Sequence, residues 1–126
     1  GLTMTAKGPI DWVYYTPERF ATAVAEDKVV VLDFTAEWCL NCKTLEATVL
    51  QTERVVAALD RPDVVPMKID LTGDNPDGRE KLIEAARRTI PLLVVYDRNG
   101  NEVWKSDAYT PSQVLEAIAE AGPEGP

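Results

Sequence analysis

Val29-Val30-Val31-Leu32-Asp33-Phe34-Thr35-Ala36-Glu37-Trp38-Cys39-Leu40-Asn41-Cys42-Lys43-Thr44-Leu45-Glu46 decides how the rest of this chain is read. It opens as a β-branched apolar run broken by one acid, passes a short polar turn, and continues into residues that favour helix. A strand, turn and helix in that order place Cys39 at the first turn of a helix and Cys42 one turn further in. Unpaired backbone N–H groups and the positive end of the helix dipole gather there, and both favour a thiolate over a thiol. The pair reads as a dithiol/disulfide redox site. Two plainer readings compete. A closed zinc site takes about four ligands, but the chain has 2 cysteines and no histidine, so carboxylates would have to complete the set. A purely structural crosslink over so short a loop gains only about 2 kcal/mol on the chain-entropy formula, and a staple normally joins distant parts of a fold.

Outward from this stretch, the 126 residues make one domain large enough for a real core. A net charge of −8 argues against a nucleic-acid partner, which needs a clustered basic surface. No apolar run approaches the roughly 20 residues that span a bilayer. Gly1 to Gly8 has neither the charged start nor the apolar middle of a secretory signal. Two cysteines leave the compartment open. Residues 1–10 read as a flexible leader or a remnant of expression, 11–121 as the folded domain, and 122–126 as a flexible tail.

Trp12 to Tyr15 predicts a short edge strand. Thr16-Pro17-Glu18 starts a helix, with Thr16 as cap and Pro17 at the first helical position, and Phe20, Ala23 and Val24 form its apolar face. Val29 to Thr35 has the near-continuous hydrophobicity of a central strand buried on both faces. Leu45, Val49, Val56 and Leu59 keep helical spacing, while Thr52-Glu53 resembles a fresh cap, which predicts a kink near Gln51. Val64 to Asp70 is a further buried strand. In the loop from Leu71 to Gly78, Asp70, Thr72 and Asp74 alternate as calcium ligands do. However, Asn75 stands where the turn glycine is needed and Lys81 where the bidentate Glu is needed, so the better reading is an Asn75 cap followed by Pro76. Leu82, Ile83 and Ala86 are expected to form the apolar face of that helix. Pro91 precedes the strand Leu92 to Tyr96, Asn99-Gly100 marks a hairpin, and Glu102 to Lys105 returns as an edge strand. Thr110 and Gln113 form a capping box for a last helix whose Val114, Leu115 and Ile118 pack inward and which Gly122-Pro123 stops. The fold class is α/β: a central mixed sheet flanked by helices on both faces.

The segment Asp33 to Lys43, the order of elements, and Ile90-Pro91 before a strand together resemble the thioredoxin fold. Within it, Ala36-Glu37-Trp38-Cys39, then Lys43 and Glu46, look most like the C-terminal periplasmic domain of the thiol:disulfide interchange protein DsbD family. The resemblance covers about residues 11–121. Leu40-Asn41 departs from the Gly-Pro of thioredoxin itself, so the dipeptide fixes neither potential nor partner. The resemblance implies a reductant relay at the periplasmic face of the bacterial inner membrane. Its partners would be protein thiols and disulfides, foremost the membrane and N-terminal domains of the same DsbD-type protein. It would need no metal and no cofactor beyond the Cys39–Cys42 disulfide, and the isolated domain would be a monomer.

On that resemblance Cys39 is the attacking nucleophile and Cys42 the resolving thiol. Pro91 is expected to be cis, with the Ile90 backbone offering strand-type hydrogen bonds to a partner peptide. Trp38 gives the site an apolar rim, against a reading as a core aromatic; Trp12 and Trp104 serve packing. Asp33 and Glu46 match acids that flank the disulfide. Burial should raise their pKa values, and their charge should raise those of the cysteines, which disfavours a stabilised thiolate and points towards a reductant. Asp33 could also shuttle the Cys42 proton. An independent secreted thioredoxin-like reductase is the alternative within the same chemistry, and a non-catalytic thioredoxin-fold binding module the alternative outside it.

Overall fold

The computed structural model describes residues 8–123. Residues 1–7 and 124–126, which hold most of the expected leader and tail, lie outside the described residues. Five strands form one sheet: β1 (Val13–Tyr14), β2 (Val29–Thr35), β3 (Val64–Asp70), β4 (Leu92–Tyr96) and β5 (Glu102–Ser106), in the order β1-β3-β2-β4-β5. The β1–β3 and β3–β2 pairs are parallel, as the helical crossovers require, and the β2–β4 and β4–β5 pairs are antiparallel. Every residue of central β2 is buried, which is why its sequence is apolar on both faces rather than alternating.

The helices are α1 (Pro17–Ala25), α2 (Leu40–Leu45), α3 (Glu53–Leu59), α4 (Pro76–Glu84) and α5 (Pro111–Ala121). Three of these starts carry the caps their sequence announced. Thr16 Oγ1 accepts from the Arg19 N–H at 3.0 Å and Asn75 Oδ1 from the Gly78 N–H at 2.9 Å, while Thr110 and Gln113 close a reciprocal capping box. Between α2 and α3 the helix runs through a π-helical turn (Glu46–Leu50), and Thr52 is the cap of α3. The kink expected near Gln51 is therefore present, produced by a widened turn followed by a restart.

Alternation along β2 sorts the core into two halves. Val29 and Val31 face α3 and α5, where Val49, Leu50, Val55, Leu59, Val114 and Ile118 bury against them. Val30, Leu32 and Phe34 face α1 and α4, together with Met67, Ile69, Leu82, Ala85, Leu92 and Val94. Ile10 and Trp12 are buried in the first half, so the packed domain begins before residue 11. Trp104 is half-buried and meets Tyr109 edge-on with ring centres 6.1 Å apart.

One expected face is wrong. Ile83 and Ala86 are exposed, and it is Leu82 and Ala85 that enter the core of α4's side. The helix ends at Glu84 and Ala86 turns left-handed (φ 59°), so the helical period cannot be carried through to residue 86. In the hairpin between β4 and β5, Gly100 takes φ 82° as the turn demands, and Asp97 Oδ1 accepts from the N–H groups of Asn99 and Asn101. The end of α5 is tied down by Arg61 and Arg98, which both grip Asp63 and donate to the carbonyls of Gly122 and Pro123 respectively.

Candidate redox site

Strand β2 ends at Thr35, and the turn after it delivers the chain to α2 with Cys39 as its cap. Cys39 and Cys42 are joined by a disulfide, their Cα atoms 5.3 Å apart. The Cys42 N–H points at Cys39 Sγ at 3.2 Å, so the sulfur occupies the position of a capping oxygen at the positive end of the helix. Cys42 Sγ lies 3.9 Å from the Phe34 carbonyl. Both sulfur residues are largely covered: Cys39 keeps 6% of its surface exposed and Cys42 2%. The approach to the pair is nevertheless open and apolar, because Trp38 and Leu40 on either side of Cys39 are 66% and 78% exposed. Trp38 is thus a surface residue and not a core aromatic.

The Ile90–Pro91 peptide is cis. Ile90 packs against the half of the core that contains both cysteines. Two grooves flank the disulfide and share Thr89 and Ile90: one, of about 460 Å³, runs past Asn41, Thr44, Pro91 and Asp107, and the other, of about 230 Å³, runs from Trp38 over Leu82.

Asp33 shares the strand alternation of Val29 and Val31, and the π-helical turn brings Glu46 to it. Both are buried. Burial holds the Asp33 carboxyl well above the usual carboxylate range, the neighbouring Glu46 carboxylate pushes it the same way, and the Lys68 ammonium pulls it back. Lys68 Nζ lies 3.8 Å from Glu46 Oε1 and 4.9 Å from the centre of the Trp12 ring. Asp33 Oδ2, Glu46 Oε2 and Thr35 Oγ1 have no hydrogen-bond partner among the described residues. Thr35 and Glu46, with Lys68 and Asp70, help to line a polar cavity of about 230 Å³, which is room enough for water.

The structure therefore brings the predicted residues together in two groups, the sulfur pair with Trp38, Ile90 and Pro91, and the carboxyl pair. One helical turn links them: the Glu46 N–H donates to the Cys42 carbonyl. Lys68 escaped the sequence reading. A signal existed, since Lys68 interrupts buried β3 as Asp33 interrupts β2, and the parallel register sets these two opposite each other. Among the described residues no group of acids, cysteines and histidines is arranged to hold a metal ion.

Known proteins agree with this geometry. A family model described as thioredoxin-like matches residues 11–98. Over 85 residues the chain is 36% identical to the thiol:disulfide interchange protein DsbD of Ralstonia nicotianae, an alignment that takes in 68% of this chain and 14% of that relative's length. Thioredoxin-1 of Saccharomyces cerevisiae is 30% identical over 106 residues, 84% of this chain and 93% of the yeast protein. The crystal structure of the Neisseria meningitidis DsbD C-terminal domain in the oxidised form superposes with a TM-score of 0.68 at 28% identity, covering 83% of this chain and 91% of that one. The chain belongs to the thioredoxin-like family, and with its Cys39–Cys42 disulfide at the head of α2 it is a thiol:disulfide oxidoreductase.

Proposed function

We propose that this chain is the reductant relay domain of a DsbD-type protein, taking electrons from a membrane domain and handing them to an N-terminal domain of the same protein on the periplasmic side. The observation that carries the reading is the disulfide capping α2 between the exposed Trp38 and the cis Ile90–Pro91 peptide.

In the reduced state the Cys39 thiolate attacks one sulfur of a partner disulfide, forming a mixed disulfide and releasing the partner's other sulfur as a thiolate. Cys42, as thiolate, then attacks Cys39 Sγ. The intermolecular bond breaks, the internal disulfide closes, and the partner leaves with both its sulfurs reduced. Two electrons move to the partner. Cys39 is the attacking sulfur because it is the cap, with exposed neighbours on both sides; Cys42 resolves. The edge of Ile90 offers backbone hydrogen bonds to an extended partner segment, Pro91 shapes the groove beside it, and Trp38 walls the opposite side. Asp33, with its raised affinity for a proton, takes up and returns the proton that Cys42 gains and loses. The buried carboxyls disfavour an anion nearby and so weaken thiolate stabilisation. A stabilised reduced form is what makes a strong oxidant, so this arrangement suits a donor.

Reduction of insulin by excess dithiothreitol tests the chemistry. The oxidoreductase should accelerate precipitation of the freed B chain in proportion to its concentration. A non-catalytic thioredoxin-fold binding module would leave the uncatalysed rate unchanged.

A further inference from the structure

The two grooves beside the disulfide carry opposite charge, which gives the partner segment a required charge order. On the Trp38 side, the apolar floor over Leu82 is rimmed by Arg79 and Arg88. Both are exposed, and neither guanidinium has a hydrogen bond or ion pair among the described residues. The chain has 21 acids and 13 bases; Lys28, Lys43, Lys68, Lys81, Lys105, Arg61 and Arg98 have carboxylate partners, whereas Arg79 and Arg88, like Arg19, Arg54 and Arg87, have none among the described residues. On the Asn41 side, the groove past Pro91 is bordered by exposed Asp107. Thr89 and Ile90 are common to both walls, and Cys39 lies between Trp38 and Asn41 in the chain.

We infer that the redox partner docks through an extended segment with a carboxylate on one side of its reactive cysteine, received by Arg79 and Arg88. The other side of that segment, over Asp107, is neutral or basic. This rests on the reading of the chain as a disulfide reductant and adds the partner's chemistry to it. An extended segment laid along Thr89–Ile90 with its sulfur over Cys39 reaches into both grooves, so reversing its charges sets a carboxylate against Asp107 and a cation against the two guanidinium groups. Contacts between exposed charges are individually weak, and a pair of them amounts to about three- to tenfold in rate, falling as salt screens them. The effect selects among partners and fixes their orientation more than it raises affinity.

Three five-residue peptides test this, each carried as a mixed disulfide with 2-mercaptoethanol: Glu-Gly-Cys-Gly-Lys, Lys-Gly-Cys-Gly-Glu and Gln-Gly-Cys-Gly-Gln. The reduced protein should convert each to free peptide thiol and 2-mercaptoethanol while closing its own disulfide. At low ionic strength one of the two charged orders should react about three- to tenfold faster than the other, although their composition and net charge are the same. The difference should vanish in the Arg79→Gln/Arg88→Gln double variant and in high salt. It should survive in the Lys28→Gln/Arg54→Gln double variant, which removes the same charge away from the grooves. Equal rates for the two orders, with the neutral peptide still reduced, would overturn the charge-order proposal and leave the redox reading standing. Failure to reduce any of the three, the neutral one included, would overturn the redox reading and this inference with it.

Discussion

Cys42→Ala is expected to turn the reduced protein from a turnover catalyst into a trap. With Cys39 free to attack and no second thiol to resolve, the reaction with a partner disulfide stops at the intermolecular bond, and one partner accumulates per protein molecule. Insulin reduction should be abolished, and mass spectrometry should find the adduct on Cys39. Cys39→Ala should abolish activity without trapping anything, because Cys42 is the more deeply covered residue, 2% exposed against 6%, and lies buried within α2. A Cys39→Ala protein that captures partner through Cys42 would reverse the assignment of the two roles.

The second large effect concerns Asp33. Its carboxyl is buried, and its proton is held well above the usual range first by desolvation, then by Glu46, against the opposing pull of Lys68 and Lys43. An acid whose folded pKa is raised keeps its proton in the native state after the unfolded chain has lost it. Between the unfolded value, about 3.9, and the folded one, the native state binds more protons, so stability falls as pH rises through that window. The loss is about 1.4 kcal/mol for each unit of separation and is complete above the folded pKa. Asp33→Asn removes the titration and keeps most of the hydrogen-bonding capacity. The oxidised variant should be as stable as the parent near pH 3 and clearly more stable at pH 7, as read by urea unfolding across that range. A variant less stable than the parent at neutral pH would mean that the ionised carboxylate is held by partners that outweigh its burial. In the reduced protein, Asp33→Asn with Glu46→Gln should lower the pKa of Cys39, and an unchanged thiol titration would refute the electrostatic link between the two groups of the site.

Much of this architecture was legible because local chemistry and tertiary fold agree. β2 reads as a central strand from its unbroken apolar run, and the caps at Thr16, Asn75 and Thr110 are where the side chains announced them. Even the kink after α2 was written in Thr52-Glu53. What stayed hidden depends on relations between elements. Ile83 shares helical spacing with Leu82, but which of them faces the sheet depends on how α4 docks and where it ends. Lys68 meets Asp33 and Glu46 only through the β2–β3 register and the π-helical turn. Lys81 looks like a solvent residue of α4, yet it is buried with its ammonium 3.9 Å from the centre of the Phe20 ring and 5.0 Å from that of Tyr96, a cage assembled from α1, α4 and β4. The opposed charges of the two grooves likewise come from separate loops and helices that no short motif connects.

The central claim is that Cys39 and Cys42 form a reversible electron carrier poised as a donor, and a redox titration of that pair tests it most directly. Equilibration of the purified protein with defined ratios of oxidised and reduced dithiothreitol or glutathione, read by thiol alkylation, should give a single two-electron transition. Its midpoint should fall nearer the value of thioredoxin, about −270 mV, than that of the strong oxidant DsbA, about −120 mV. A midpoint near the oxidant's, or a disulfide that no ratio opens reversibly, would contradict it.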